Sequence, residues 1–217
     1  MSETTRVGLI SDVHANAVAL NAVLEDMPAI DALAHAGDVI GYGSSPNKCI
    51  ELLREHDARS VRGNHDEALF GGPTYESGDE YATRMITKEN REWLRSCTAE
   101  TTLFGERLKI IHGNPNQRFQ YTYPAEFRAG LLDNEEILVL GHTHKQGKAC
   151  FDDGIIVNPG SVGQPRDADE RAAYAVLDLE SNSVTLARVS YDIQQVAEQI
   201  KDTSISNRNG DRLSSAR

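Results

Sequence analysis

Short apolar runs alternate with amphipathic stretches in the first third of the chain, an order that predicts parallel β-α-β units. "RVGLIS" (residues 6–11) reads as a strand, and "ANAVALNAVLEDM" (15–27) sets its apolar residues on one helical face before Pro28 stops it. "DALAHAGDVIGYG" (31–43) then gives a strand and a glycine-rich loop, and "PNKCIELLREH" (46–56) gives a helix with Pro46 in its first turn. "ARSVRGNHDEALF" (58–70) supplies a third strand, a loop and the start of a helix. After the polar loop "FGGPTYESGD" (70–79), "DEYATRMITKENREWLRSC" (79–97) predicts one helix.

The pattern changes beyond residue 100. "TTLFG", "RLKIIHG", "EILVLGHTH", "GKACFD", "GIIVNPG", "AAYAVLDLE" and "VTLARVSYD" are short runs separated by turn signals, and they predict a mixed or antiparallel second sheet. Ile193, Val196, Ala197 and Ile200 fall at helical spacing, so a last helix packs back on the domain. The stretch "SNRNGDRLSSAR" offers no apolar face. Residues 1–203 are therefore read as one domain and residues 204–217 as a disordered tail.

Composition narrows the function classes. The 217 residues are 39% hydrophobic and 25% charged, an ordinary globular balance. Thirty-three acidic against 22 basic side chains give a net charge of −11, which repels polyanions and argues against general nucleic-acid binding. Cys49, Cys97 and Cys150 are odd in number and form no C-x-x-C pair, so neither a disulfide framework nor a thiolate metal site is indicated. The N-terminal stretch has no signal-peptide core, and no run approaches a membrane span. These features fit the reducing cytoplasm.

The polar residues that need explaining lie where apolar strands end. Asp12 and His14 follow "GLIS", Asp38 follows "ALAHAG", Asn64, His65 and Asp66 follow "SVRG", His112 follows "KII", and His142 and His144 follow "ILVLG". Ligands of open α/β sheets bind at the carboxyl ends of strands. Singly, such an Asp is a helix cap and such a His a hydrogen-bonded core residue. Together, five histidines of seven with Asp12, Asp38 and Asn64 form a nitrogen and oxygen donor set that suits Mn, Fe, Zn, Ni or Co.

In order, D-x-H (Asp12, His14), G-D (Gly37, Asp38), G-N-H-D (Gly63 to Asp66), H-G (His112, Gly113) and G-H-T-H (Gly141 to His144) resemble the calcineurin-like metallophosphoesterase superfamily. The motifs span residues 7 to about 166, and the ending "NPGSVGQPR" is similar to that of its small prokaryotic phosphodiesterases. The resemblance implies a four-layer α/β/β/α sandwich of two mixed β-sheets with a dinuclear metal centre at the strand ends. It implies that Asp12, His14 and His144 hold one ion, that Asn64, His112 and His142 hold the other, and that Asp38 bridges both. The ions would be divalent transition metals, manganese first, with Ni, Fe, Co and Zn as alternatives.

Such a pair shares a hydroxide and clamps phosphoryl oxygens for in-line attack on phosphorus. Two divalent ions offset by Asp12, Asp38 and one hydroxide leave one positive charge, which a phosphodiester monoanion neutralises. His65, beside a ligand but not one itself, is the general-acid candidate, with Asp66 orienting its ring. Asn16 and Arg166 are substrate-binding candidates, against a helix cap and a surface ion pair as the plainer roles. Tyr121 and Tyr123 suit either a base stack or a subunit contact.

Departures from the family patterns narrow the subclass. No Arg follows G-D closely, as it does in the protein Ser/Thr phosphatases of the superfamily, and Gly41 stands where purple acid phosphatases place a Tyr ligand. The expectation is a phosphodiesterase for a small phosphate ester; related small enzymes often self-associate, and a homo-oligomer is left open because no apolar stripe marks an interface. A phosphomonoesterase, a dinucleoside polyphosphate hydrolase and a metal-binding interaction scaffold are the alternatives.

Overall fold

A computed structural model describes residues 5–216. The strands are β1 (Arg6–Ile10), β2 (Ala32–His35), β3 (Arg59–Ser60), β4 (Glu100–Leu103), β5 (Leu108–Ile111), β6 (Ile137–Val139), β7 (Gly147–Phe151), β8 (Gly154–Asn158), β9 (Ala172–Asp178) and β10 (Ser183–Val189). The α-helices are α1 (Ala17–Asp26), α2 (Pro46–Glu55), α3 (Asn64–Glu67), α4 (Ser77–Met85), α5 (Lys88–Ser96), α6 (Ile193–Lys201) and α7 (Arg208–Leu213).

Two mixed five-stranded sheets lie face to face, ordered β10-β9-β1-β2-β3 and β4-β5-β6-β8-β7. The predicted β-α-β units form the parallel half of the first sheet, with β1 beside β2 and β2 beside β3. The inter-sheet core is made by strand residues buried on the facing sides, Val7, Leu9 and Ala34 against Ile110, Val139 and Val157. Helices α1 and α2 cover the outer face of the first sheet through Leu20, Val23, Ile50 and Leu53. The outer face of the second sheet is capped by Leu131 and Phe127, from a segment of short 3-10 turns that makes a thin fourth layer.

Three expectations change. Strands β9 and β10 leave the second sheet and join the first, with β9 antiparallel to β1 (Leu9 opposite Ala175). Burial on both sides of β1 explains the exchange, since a strand buried on both faces needs a hydrogen-bonded neighbour at each edge. The single helix over 79–97 is two. Thr87 caps α5 by accepting a hydrogen bond from the Asn90 amide, while the side chain of Asn47 takes the Thr87 N–H and donates to the Met85 carbonyl.

Residues 204–216 fold rather than trailing as a disordered tail. Ile205 and Leu213 complete a cluster with Val196 and Ile200, an apolar spacing split across a turn and so invisible as one helical face. Asn209 donates to the Tyr42 carbonyl, and the Ala168 amide donates to Ala216. Leu213 is 4% exposed, so Leu213→Ala is expected to cost about 2–3 kcal/mol. Thermal unfolding should then fall by about 5–10 °C; an unchanged transition would show that α7 contributes nothing to the folded domain.

Candidate functional site

Five strand ends converge between the sheets: the turns after β1, β2 and β3 on one side, and those after β5 and β6 on the other. They bring together every residue assigned to the metal centre, Asp12, His14, Asp38, Asn64, His112, His142 and His144, each at most 7% exposed. Donor atoms of Asp12, His14 and His144 lie within 4.8 Å of one another, as do those of Asp38, His112 and His142. A third grouping, His14, Asp38 and His65, overlaps both.

Four backbone carbonyls determine the tautomers of the imidazoles. His14 Nδ1 lies 2.9 Å from the Ile40 oxygen, His112 Nδ1 2.7 Å from Ala36, and His144 Nδ1 2.6 Å from Gln164. A carbonyl only accepts, so each Nδ1 carries a proton and, in the neutral ring, each Nε2 presents a lone pair. In His142 the roles reverse, with Nε2 donating to the Phe119 oxygen at 2.9 Å and Nδ1 left as the lone-pair atom.

These lone pairs face other acceptors. His14 Nε2 is 3.0 Å from His144 Nε2, and His112 Nε2 is 3.2 Å from both Asp38 Oδ2 and Asn64 Oδ1. Asp12 Oδ1, 3.4 Å from His144 Nε2, and Asp38 Oδ2 are buried with no hydrogen-bond donor. Electron-rich atoms packed this way repel unless cations lie among them, so the donor set fits divalent metal ions.

The protonation balance reflects the same crowding. Burial pushes Asp12 up, but His144, His14 and His112 outweigh it and hold the carboxyl well below its usual range. Burial drives His144 well below an ordinary imidazole and, helped by the charge on His112, takes His142 down to about 4. His112 moves to about 9, because Asp38 and Asp12 overcome its desolvation, so a metal ion taking Nε2 would displace a proton from it.

The loops that aim these groups are strained. Asp12, His14, Asp38, Tyr42, His142 and His144 have φ between 44° and 68°, left-handed backbone that costs an L-residue about 1–2 kcal/mol. Gly63 is required for contact: a Cβ there would lie 2.1 Å from Asp38 Oδ1.

Around the centre, two expected roles are reassigned. Asp66 does not orient His65. Its buried carboxylate accepts the backbone N–H groups of Asp38 (2.8 Å), Val39 (3.0 Å), Ile40 (3.2 Å) and Gly63 (2.9 Å), tying the G-D loop to the G-N-H-D loop. The partner of His65 Nδ1 is Asp79 Oδ1 on α4, at 2.7 Å and fully buried. Gly41 leaves room for the pair, since a Cβ would approach both side chains to about 3 Å, at 2.9 and 3.0 Å.

Asn16 is not in the recess. Its Oδ1 caps α1 at the Ala19 amide and its Nδ2 donates to the Gly163 carbonyl, so both ends of the amide are used. Arg166 does line the recess, braced by Gln164 Oε1 at 2.8 Å and lying 5.4 Å from the Tyr42 ring centre. The opening, about 180 Å³, is walled by His65, Tyr75, Tyr121, His142 and Arg166. Sequence reasoning missed Asp79 and Tyr75. The only local signal at Asp79 is its place as third residue of a helix, which reads as a cap.

Among known proteins, the profile described as the calcineurin-like phosphoesterase superfamily domain matches residues 5–182. An uncharacterized protein of Methanocaldococcus jannaschii is 31% identical over 95% of this chain and 96% of its own. A probable metallophosphoesterase of Bacillus subtilis is 25% identical over 89% and 94%. The crystal structure of a metallophosphoesterase from Sphaerobacter thermophilus superposes with a TM-score of 0.87 at 30% identity, covering 99% of this chain and all of that one, 100%. No helix among the described residues is long and apolar enough to cross a membrane. With strand-end donors, paired sheets and these relatives in agreement, the chain belongs to the calcineurin-like phosphoesterase superfamily and is a metallophosphoesterase.

Proposed function

We propose that this phosphoesterase is a phosphodiesterase that holds two divalent transition metal ions, manganese first among Mn, Ni, Fe, Co and Zn. The observation that carries the reading is the set of imidazole lone pairs facing carboxylate oxygens that lack donors. Asp12, His14 and His144 would hold one ion, Asn64, His112 and His142 the other, and Asp38 both. Bound there, the ions supply Lewis-acid polarisation of the phosphoryl oxygens and activation of water.

The chain's own groups do the rest. His65 donates through Nδ1 to Asp79, which leaves Nε2 turned to the recess to give a proton to the leaving alkoxide. Burial pulls this imidazole down, yet Asp38 and Asp79 outweigh it and keep the acid form above the usual histidine range. Asp79 acts through His65, holding tautomer and angle. Arg166 offers a fork of donors to a non-bridging phosphate oxygen. The residual charge of the centre by itself matches a singly charged diester, while the Arg166 guanidinium adds a second positive charge that a dianionic monoester would also use, so turnover of the two ester types decides between them.

Three measurements test this reading. Chelated protein should gain about 5–10 °C in unfolding temperature when Mn²⁺ is added at a hundredfold over its dissociation constant, and His144→Ala should lose most of that gain. No shift with any of the five metals would remove the metal centre. Metal-restored turnover should favour bis-p-nitrophenyl phosphate over p-nitrophenyl phosphate, and the reverse preference would make the protein a monoesterase.

His65→Ala should retain bound metal and lose about 10²–10⁴-fold in kcat on diesters with alkyl leaving groups, with a smaller loss on nitrophenyl esters, whose leaving group needs no proton. Asp79→Asn should show the same dependence on leaving group at a smaller size. Equal losses on both ester types would deny His65 its role as acid.

A further inference from the structure

The leaving-group side of the recess is aromatic, and its position is tied to the acid. The Asp79 carboxylate holds His65 Nδ1 with Oδ1 and accepts the Tyr75 backbone N–H with Oδ2 at 2.8 Å, so one buried group sets both residues. The Tyr75 ring centre lies 5.2 Å from that of His65, and the side chain is 49% exposed. Across the same opening Tyr121 stacks on His142 (4.2 Å between ring centres, 8° between planes) and on Tyr123 (5.8 Å, 14°), so it walls the recess and leaves Tyr75 as the ring with room for a base. Large exposed rings at the mouth of a buried polar centre lose apolar contact with nothing in return unless a ligand covers them.

The occupant is constrained by what lines the opening. Among the described residues no Leu, Ile, Val or Met lines it, so a lipid tail finds no aliphatic wall. Outside the proposed ligands and acid, Arg166 is the charged side chain present, which meets phosphate and leaves a free sugar without carboxylate or amide partners. Tyrosine rings instead stack on any planar base, and phenol oxygens tolerate its polar edge. A net charge of −11 disfavours a long strand and leaves a small molecule.

Resting on the phosphodiesterase reading, we infer that the substrate is a small nucleoside phosphodiester whose leaving nucleoside stacks its base on Tyr75, beside His65. The reaction is hydrolysis: water adds to phosphorus, the P–O bond to the nucleoside breaks, and the nucleoside oxygen takes the proton from His65. The nucleoside leaves as an alcohol.

Two ligands that share a phosphate and a ribose separate the base from the rest. Calorimetric titration of the Mn²⁺-loaded full chain should give adenosine 5′-phosphate at least about tenfold tighter binding than ribose 5-phosphate, the size of one base-stacking contact. Tyr75→Ala should erase that ratio and Tyr75→Phe should keep it. Equal binding of the two ligands by the unaltered protein, or a ratio that survives Tyr75→Ala, would overturn the inference.

Turnover of adenylyl-adenosine and of glycerophosphoethanolamine then separates the two readings. A tenfold preference in kcat/KM for the adenosine diester supports the nucleoside inference. Equal turnover of both diesters overturns it and leaves the phosphodiesterase reading standing. Inertness toward both, with base-dependent binding intact, supports the nucleoside site and sinks the diesterase.

Discussion

Lone pairs confined without hydrogens are the constraint on which the rest of this structure depends. Two Asp oxygens and, from each of four imidazoles, the nitrogen not held by a backbone carbonyl point into one buried space, where a compact fold ordinarily pairs every acceptor with a donor. Such an arrangement survives only if the surrounding framework holds it against its own repulsion. The carbonyls of Ile40, Ala36, Gln164 and Phe119 do so by locking each ring from behind, and the inter-sheet core keeps the five loops from spreading.

Asp66 shows how such a framework is organised. One carboxylate gathers four backbone amides from two loops separated by more than twenty residues, fixing Asp38 relative to Asn64 without touching either side chain. Burial and the charge on Asp38 push this acid up to about 7, against the downward pull of its amide donors and of His112. Its role is architectural, and the same is true of Asn16, whose amide joins the start of α1 to the loop at Gly163.

What could be read before folding, and what could not, follows from the range of the interactions. The β-α-β units and the strand-end donors are local patterns, each a few residues long, so their positions were legible from Asp12 to His144. The partner of His65 was not. Asp66 is the adjacent acid and the natural guess, whereas Asp79 reaches the ring only because α4 packs over Gly41, a contact that no spacing rule encodes. The docking of β9 against β1 and the folding of residues 204–216 are likewise decided at long range. Leu213 is unremarkable until Val196 and Ile200 are placed beneath it. Asn16 illustrates the opposite error, a polar residue near a motif whose simpler capping role was the one used.

The left-handed backbone at Asp12, His14, Asp38, His142 and His144 sets the interests of the fold against those of the site. Glycine at any of these positions would relieve strain while deleting a donor. Laboratory evolution that rewards heat resistance alone would therefore drift toward glycine there, emptying the centre before damaging the scaffold. Rounds of selection on this protein need a catalytic filter beside the thermal one, or they will return a sturdier and silent sandwich.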